Sequence, residues 1–203
     1  MMVKPFLLAC ALTSCAAPAF AGDLVVTVTT KDGKPLADAV VTLPAPAGAS
    51  APRFPWKLEI AQKDKQFAPF VLIAPVGAEV AFPNLDKFRH HVYSFSKGNK
   101  FELELYGRDQ KRSVTFKTAG IAALGCNIQH IIVAFVYVTD TPYAARTNAK
   151  GVAEVKGAPD GATQVTVWHP HAKSRDQVIT TDAVIAGVTR LTVAIDVAAS
   201  HGR

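Results

Sequence analysis

The chain has 203 residues, of which 49% are apolar, with 22 Lys and Arg against 16 Asp and Glu. Few Leu and many Val, Thr, Ala, Gly and Pro favour strands joined by turns over helices. Beyond residue 21 no apolar run approaches the ~18 residues of a membrane-spanning helix, and no basic helix or aromatic stacking motif points to nucleic acid.

The N-terminus reads as an export signal, so the expected location is the periplasm. Met1-Met-Val-Lys4 is a short positive region, Pro5 to Leu12 is apolar, and Ala19-Phe20-Ala21 before Gly22 is an A-x-A cleavage site. The alternative is Leu12-Thr-Ser-Cys15, which resembles the lipobox of bacterial lipoproteins and would put a lipid anchor on Cys15. Cleavage after Ala21 is preferred because that site abuts the first strand. Cys10 and Cys15 then leave with the signal, Cys126 is the one cysteine of the mature chain, and no internal disulfide can form. A single thiol in an oxidising compartment is either buried as a small hydrophobe or bound.

Asp23 to Thr30 alternates as a strand. Lys31-Asp-Gly-Lys-Pro35 is a turn in which Asp-Gly supplies the positive φ, and Ala39 to Leu43 is a second strand. Pro44 to Pro55, rich in Pro, Ala, Gly and Ser, reads as a linker. From Trp56 the pattern restarts. Trp56 to Gln62 alternates, Phe67 to Ile73 is apolar, and Ala78 to Phe82 is a strand closed by Pro83-Asn-Leu-Asp86. The polar knot Arg89-His-His91 opens a strand through Phe95, and a turn at Lys97-Gly-Asn99 leads to another over Phe101 to Tyr106. Val114 to Lys117 and the region Leu124 to Val138, an apolar strand leaving a loop that begins at Cys126, complete this unit. After a boundary at Asp140-Thr-Pro-Tyr143 come a strand, turn and strand over Ala145 to Val155, then strands at Thr163 to His169 and Arg190 to Val197. Short strands between Gly and Pro turns argue an all-β sandwich fold.

The first two strands cannot bury a core alone. The expectation is therefore one small sandwich from residues 22–53 plus 141–198, interrupted by a second at 54–140. Insertion at an exposed loop is tolerated where the host's two chain ends lie close together.

Several stretches then become recognisable. Phe67 to Gly77, Phe82-Pro-Asn-Leu-Asp86, His90-His-Val-Tyr-Ser-Phe-Ser96 and Gly125-Cys-Asn-Ile128 resemble the cupredoxin (plastocyanin/amicyanin-like) family. They are most similar to its exported members labelled methylamine utilisation protein, which continue with segments like Asp140-Thr-Pro-Tyr143 and Val167-Trp-His-Pro170. The flanks, with Asp32 to Val41 and Thr147-Asn-Ala-Lys-Gly151, resemble the carboxypeptidase-regulatory-like, transthyretin-type sandwich. The resemblance implies an all-β fold in which a cupredoxin Greek-key sandwich is inserted in a small transthyretin-like one.

It also implies a mononuclear copper site (Cu+/Cu2+). The family's first ligand maps to His90, with His91 beside it, and its thiolate to Cys126. Asn84, Asp86 and Asn127 fall where groups that hydrogen-bond to ligands are expected. The amicyanin-like loop would continue Cys-x-x-His-x-x-Met, but Gln129 and Ile132 occupy those positions and the nearby imidazole is His130. A blue site needs a trigonal His₂Cys plane and tolerates a weak axial group, so Ile132 leaves the axial position open or carbonyl-capped. His130, His91 and the Gln129 amide oxygen are the alternatives for the third ligand, His130 being preferred. The implied function is outer-sphere electron transfer; the competing reading is a metal-free or copper-holding binding module of the same fold.

The positive charge is concentrated centrally: residues 53–117 hold 12 Lys and Arg against 7 Asp and Glu, whereas the rest of the mature chain balances. That suits either a solvated sheet face or docking of an acidic redox protein, with Lys87, Arg89, Lys97 and Lys100 near the rim. No Ser/His/Asp arrangement, phosphate-binding loop or His-Glu-x-x-His motif is present, so an enzyme is not expected. His169 and His171 flank Pro170 at a strand end, and Trp168 reads as core of the flanking sandwich.

Overall fold

The computed structural model describes residues 21–126 and 132–198. Residues 1–20 of the expected export signal, with Cys10 and Cys15, therefore lie outside the described residues, as do residues 199–203. The described chain is all-β: sixteen strands and one 3-10 turn, Arg175–Gln177. β1 (Ala21–Thr30) and β2 (Val40–Thr42) come first. A central run follows: β3 (Ala61–Lys63), β4 (Gln66–Ala68), β5 (Val71–Pro75), β6 (Ala78–Ala81), β7 (His90–Ser94), β8 (Phe101–Tyr106), β9 (Ser113–Phe116), β10 (Gly120–Cys126) and β11 (Ile132–Thr139). β12 (Ala144–Arg146), β13 (Val152–Pro159), β14 (Gly161–Trp168), β15 (Val178–Ile185) and β16 (Val188–Ile195) close the chain.

Strands from the two ends of the chain share two sheets, ordered β13-β1-β16 and β12-β2-β14-β15. β1 is central in the first, antiparallel to β13 and parallel to β16. Its alternation buries Leu24, Val26 and Val28 against Val41, Val165, Val167 and Ile195. The central run forms a five-stranded sheet, β5-β11-β10-β7-β8, with the two-stranded ribbons β3-β4 and β6-β9. Phe82, Val92, Tyr106, Phe116, Val136 and Cys126 lie in its core.

The five-stranded sheet is buried on both faces over part of its width. On β11, Ala134, Val136 and Val138 enter the inner core, while Phe135 and Tyr137, pointing the other way, meet Trp168 from β14. The same period of two sends Leu72 and Ala74 of β5 inward and turns Val71 and Ile73 outward, against Val40, Ala144 and Trp168. Trp168 meets Phe135 edge-on at 5.6 Å and tilts against Tyr137 at 5.7 Å between ring centroids. Burial on both faces explains why these stretches read as apolar runs rather than alternations.

Three local expectations are revised. The apolar stretch Phe67 to Ile73 is two strands, divided at a cis Ala68-Pro69 bond. Of Trp56 to Gln62, only the end is a strand; Leu58, Ile60 and Gln62 reach Ala81 and Pro83 through single bonds rather than a ladder. β15 has no counterpart in the sequence reading: in this edge strand Thr180, Thr181 and Asp182 interrupt the apolar pattern, Ile179 and Ala183 pack only partly buried on the core, and Ile185 alone is buried.

Trp168 is fully buried, and its indole N–H has no hydrogen-bond partner among the described residues. Trp168→Ala is expected to lower stability by about 3–5 kcal/mol in urea unfolding. Trp168→Phe, which removes that unsatisfied N–H while keeping a ring in the seam, should cost clearly less. Equal losses would show that the indole edge, not the filled seam, holds the sheets together.

Candidate metal centre

β7 runs antiparallel to both β10 and β8, so the start of β7, the end of β10 and the end of β8 lie at one end of the sheet. His90 is the first residue of β7 and Cys126 the last of β10. Alternation along β7 turns His90, Val92 and Ser94 inward. Both His90 and Cys126 are 0% exposed, and His90 Nδ1 stands 3.7 Å from Cys126 Sγ.

The other ring nitrogen is fixed from outside. His90 Nε2 lies 2.7 Å from Asp86 Oδ2. Asp86 also accepts the backbone N–H groups of Asp64 and Lys65, at 2.8 and 3.1 Å, from the positive-φ turn between β3 and β4. Its own N–H donates to Asn84 Oδ1, and Asn84 Nδ2 donates to the carbonyls of Phe88 and Tyr106. Burial disfavours ionisation of Asp86, but the hydrogen bond with His90 and those from Lys65 and Asp64 outweigh it and hold the carboxyl below its ordinary pKa. An ionised carboxylate only accepts, so His90 Nε2 carries a proton and Nδ1 is the ring nitrogen that faces the thiol.

This donor pair fits a shared metal ion. With bonds of about 2.0 Å to nitrogen and about 2.3 Å to sulfur, donors 3.7 Å apart subtend roughly 120°, the angle of a trigonal plane. A carboxylate on the far ring nitrogen, as Asp86 is on His90, is what raises a metal-binding imidazole's basicity and fixes its tautomer.

The remaining expected residues divide into three groups. Ile132 is the cross-strand partner of Cys126, is partly buried and packs on the inner core, so the position named as axial offers hydrocarbon. His91 falls on the opposite face of β7, where Nε2 lies 3.0 Å from Glu102 and the ring leans on Tyr93; the structure does not bring it to Cys126. Asn127, Gln129 and His130 lie in the stretch 127–131, outside the described residues. Among the described residues no three His, Cys, Asp or Glu side chains gather as a metal site.

Below the pair, the Tyr106 hydroxyl donates to the Phe82 carbonyl and accepts from Gln62 Nε2, both at 2.8 Å. Burial, chiefly, pushes its pKa up to about 12. Gln62 and Tyr106 were not singled out in the sequence, since one sits in a polar-looking strand and the other reads as ordinary core.

The rim is also redistributed. Lys87 and Arg89 are exposed on the loop leading into His90, but Lys97 and Lys100 belong to the β7–β8 hairpin, about 15 Å away at the other end of β7. In their place β8 delivers Gly107 to Arg112, and Arg108 Nη2 donates to the Leu85 carbonyl. Four charged residues in that short loop were the available signal.

Neither a protein-family model nor a curated protein matches the sequence. Solved structures that share part of the fold include a Cu-containing nitrite reductase from Thermus scotoductus SA-01, at 25% identity and TM-score 0.40, covering 48% of this chain and 25% of that one. A purple cupredoxin from Nitrosopumilus maritimus matches at 20% identity and TM-score 0.34, covering 40% of this chain and 98% of that one. A reduced amicyanin variant matches at 18% identity and TM-score 0.38, covering 49% and 98%. The chain thus spans a quarter of the nitrite reductase it matches.

Asp86→Ala strands His90 Nε2 and two backbone N–H groups, and is expected to destabilise the metal-free protein by at least ~2 kcal/mol. Asp86→Asn keeps an acceptor for His90 and should lose less. Urea unfolding of the three metal-free proteins checks this order; an Asp86→Ala protein as stable as the parent would refute the assigned role.

Proposed function

We propose that this chain is a periplasmic cupredoxin-like protein in which His90 and Cys126 hold one copper ion and which passes single electrons between protein partners. The observation that carries the reading is the buried Nδ1–Sγ pair at 3.7 Å with its imidazole anchored on Asp86. The sequence resemblance supports the division into a cupredoxin unit at 54–140 and a transthyretin-like unit at 22–53 plus 141–198. His130, in the stretch 127–131 outside the described residues, is our preferred third ligand.

Bound copper would supply a centre that shuttles between Cu(I) and Cu(II). The chain's own residues do the rest. The β7 and β10 backbones hold the two donors at one separation, so little reorganisation accompanies a change of charge. Asp86 keeps the proton on Nε2 and leaves Nδ1 available. Cys126 gives up its thiol proton when a metal binds. Ile132, opposite Cys126, would line the site with hydrocarbon, which excludes water and favours the lower-charged state of a bound ion.

Adding Cu(II) to the purified mature protein should bind one equivalent, raise the melting temperature and produce intense visible absorption from the thiolate. Cys126→Ala should abolish the colour, and His130→Ala should shift or weaken it. Absence of colour together with an unchanged melting temperature would sink the copper reading. A His130→Ala protein with the full spectrum would rule out that ligand alone.

A further inference from the structure

Three loops from separate parts of the sequence converge beside His90. The turn at Asp64-Lys65 is fastened by the Asp86 carboxylate. The loop 83–89 is closed by Asn84 on Phe88 and Tyr106. The loop 107–112 is tied to the second by Arg108 on Leu85. They expose six cations, Lys65, Lys87, Arg89, Arg108, Lys111 and Arg112, against the exposed carboxylates of Asp64 and Asp109. Two apolar side chains show among them: Leu85 is 44% and Phe88 37% exposed. Phe88 also leans on the fully buried His90, with ring centroids 4.8 Å apart. A buried ligand is thus in van der Waals contact with a ring that reaches the surface.

An apolar centre within a charged rim is the layout of a protein–protein contact, and the sign of the rim selects the partner. We propose that this collar is the docking surface for an acidic one-electron redox protein, with Phe88 and Leu85 as its contact patch. This rests on the copper reading for its redox part: one electron passes from the partner's reduced centre to the oxidised ion, or back, and no bond forms or breaks. The collar itself is a property of the apoprotein. It replaces the Lys97 and Lys100 hairpin, which lies about one strand length away, as the place where charge steers the encounter.

The test begins without metal. A short polyglutamate peptide titrated into the metal-free protein at low salt should shift backbone amides of 64–65, 85–89 and 107–112, and the shifts should fade as salt screens the charges. Lys87→Glu combined with Lys111→Glu should weaken binding about tenfold, whereas Lys97→Glu with Lys100→Glu should leave it unchanged. Shifts centred on 95–100 or scattered over the surface would overturn the proposal. So would a collar that binds phosphatidylglycerol vesicles but ignores polyglutamate, since that marks an anionic lipid surface. In copper-loaded protein, reduction by ferrocyanide should slow with added salt and reduction by hexaammineruthenium(II) should quicken. A loaded, coloured protein lacking that contrast defeats the collar and leaves the copper reading intact; an uncoloured protein that still binds polyglutamate at the collar does the reverse.

Discussion

The hydrogen bond of 2.7 Å between Asp86 and His90 is where the three loops at this end of the molecule are held. A buried carboxylate is costly unless its lone pairs are used, and Asp86 uses them on one imidazole and two backbone N–H groups. The turn at Asp64-Lys65, the entry to β7 and, through Asn84, the end of β8 are consequently positioned by one side chain and its neighbour. Loss of the Asp86 carboxylate would leave all three partners unsatisfied, so the network depends on that one side chain. The imidazole inherits that rigidity, and its Nδ1 faces Cys126 because no other orientation keeps Nε2 on the carboxylate.

The thiol is held from the other side by the sheet. β10 is central, between β7 and β11, and β11 is clamped between the inner core and the Trp168 seam. On the outer face Tyr93 lies against Gly125, whose missing side chain makes the approach possible: a Cβ there would stand 2.5 Å from Tyr93 Cζ. Cys126 thus follows a residue pinned by an aromatic ring and faces a hydrophobic core. The strands contributed by the two ends of the chain matter here for packing. By covering Val71, Ile73, Phe135 and Tyr137 they bury the outer face of β5 and β11, and β11 carries Ile132 into register with Cys126.

Much of this was legible in the residues. Alternation revealed β1, strands were expected where β7 and β8 lie, and of the Asn-Leu-Asp turn before His90 the structure places Asp86 on that imidazole and Asn84 on Asp86. What was not legible has a common physical cause: the information lay across strands rather than along them. Arg108 and Arg112 are far in sequence from the turn before His90, and meet Leu85 and the Tyr106 ring because β8 pairs back on β7. Lys97 and Lys100 are nearer in sequence but stand at the wrong end of the same strand. His91, next to a buried ligand candidate, is carried to the other face by the period of two and meets Glu102. β15 was hidden because Thr180, Thr181 and Asp182 break up an apolar face, Ile179, Ala183 and Ile185, that is buried only at its end.

The candidate site therefore divides into a part fixed by strands and a part that falls at 127–131, outside the described residues. His90 and Cys126 belong to the first, and their separation depends on pairing, core packing and the Asp86 network. The departures from the amicyanin-like pattern, at Gln129 and Ile132, fall in or beside the second. Ile132 shows why such a departure is structurally cheap: opposite Cys126, an apolar side chain adds to the core where a thioether would have offered only a weak axial bond. The strand-held pair rests on contacts that lie within the described strands and the Asp86 network.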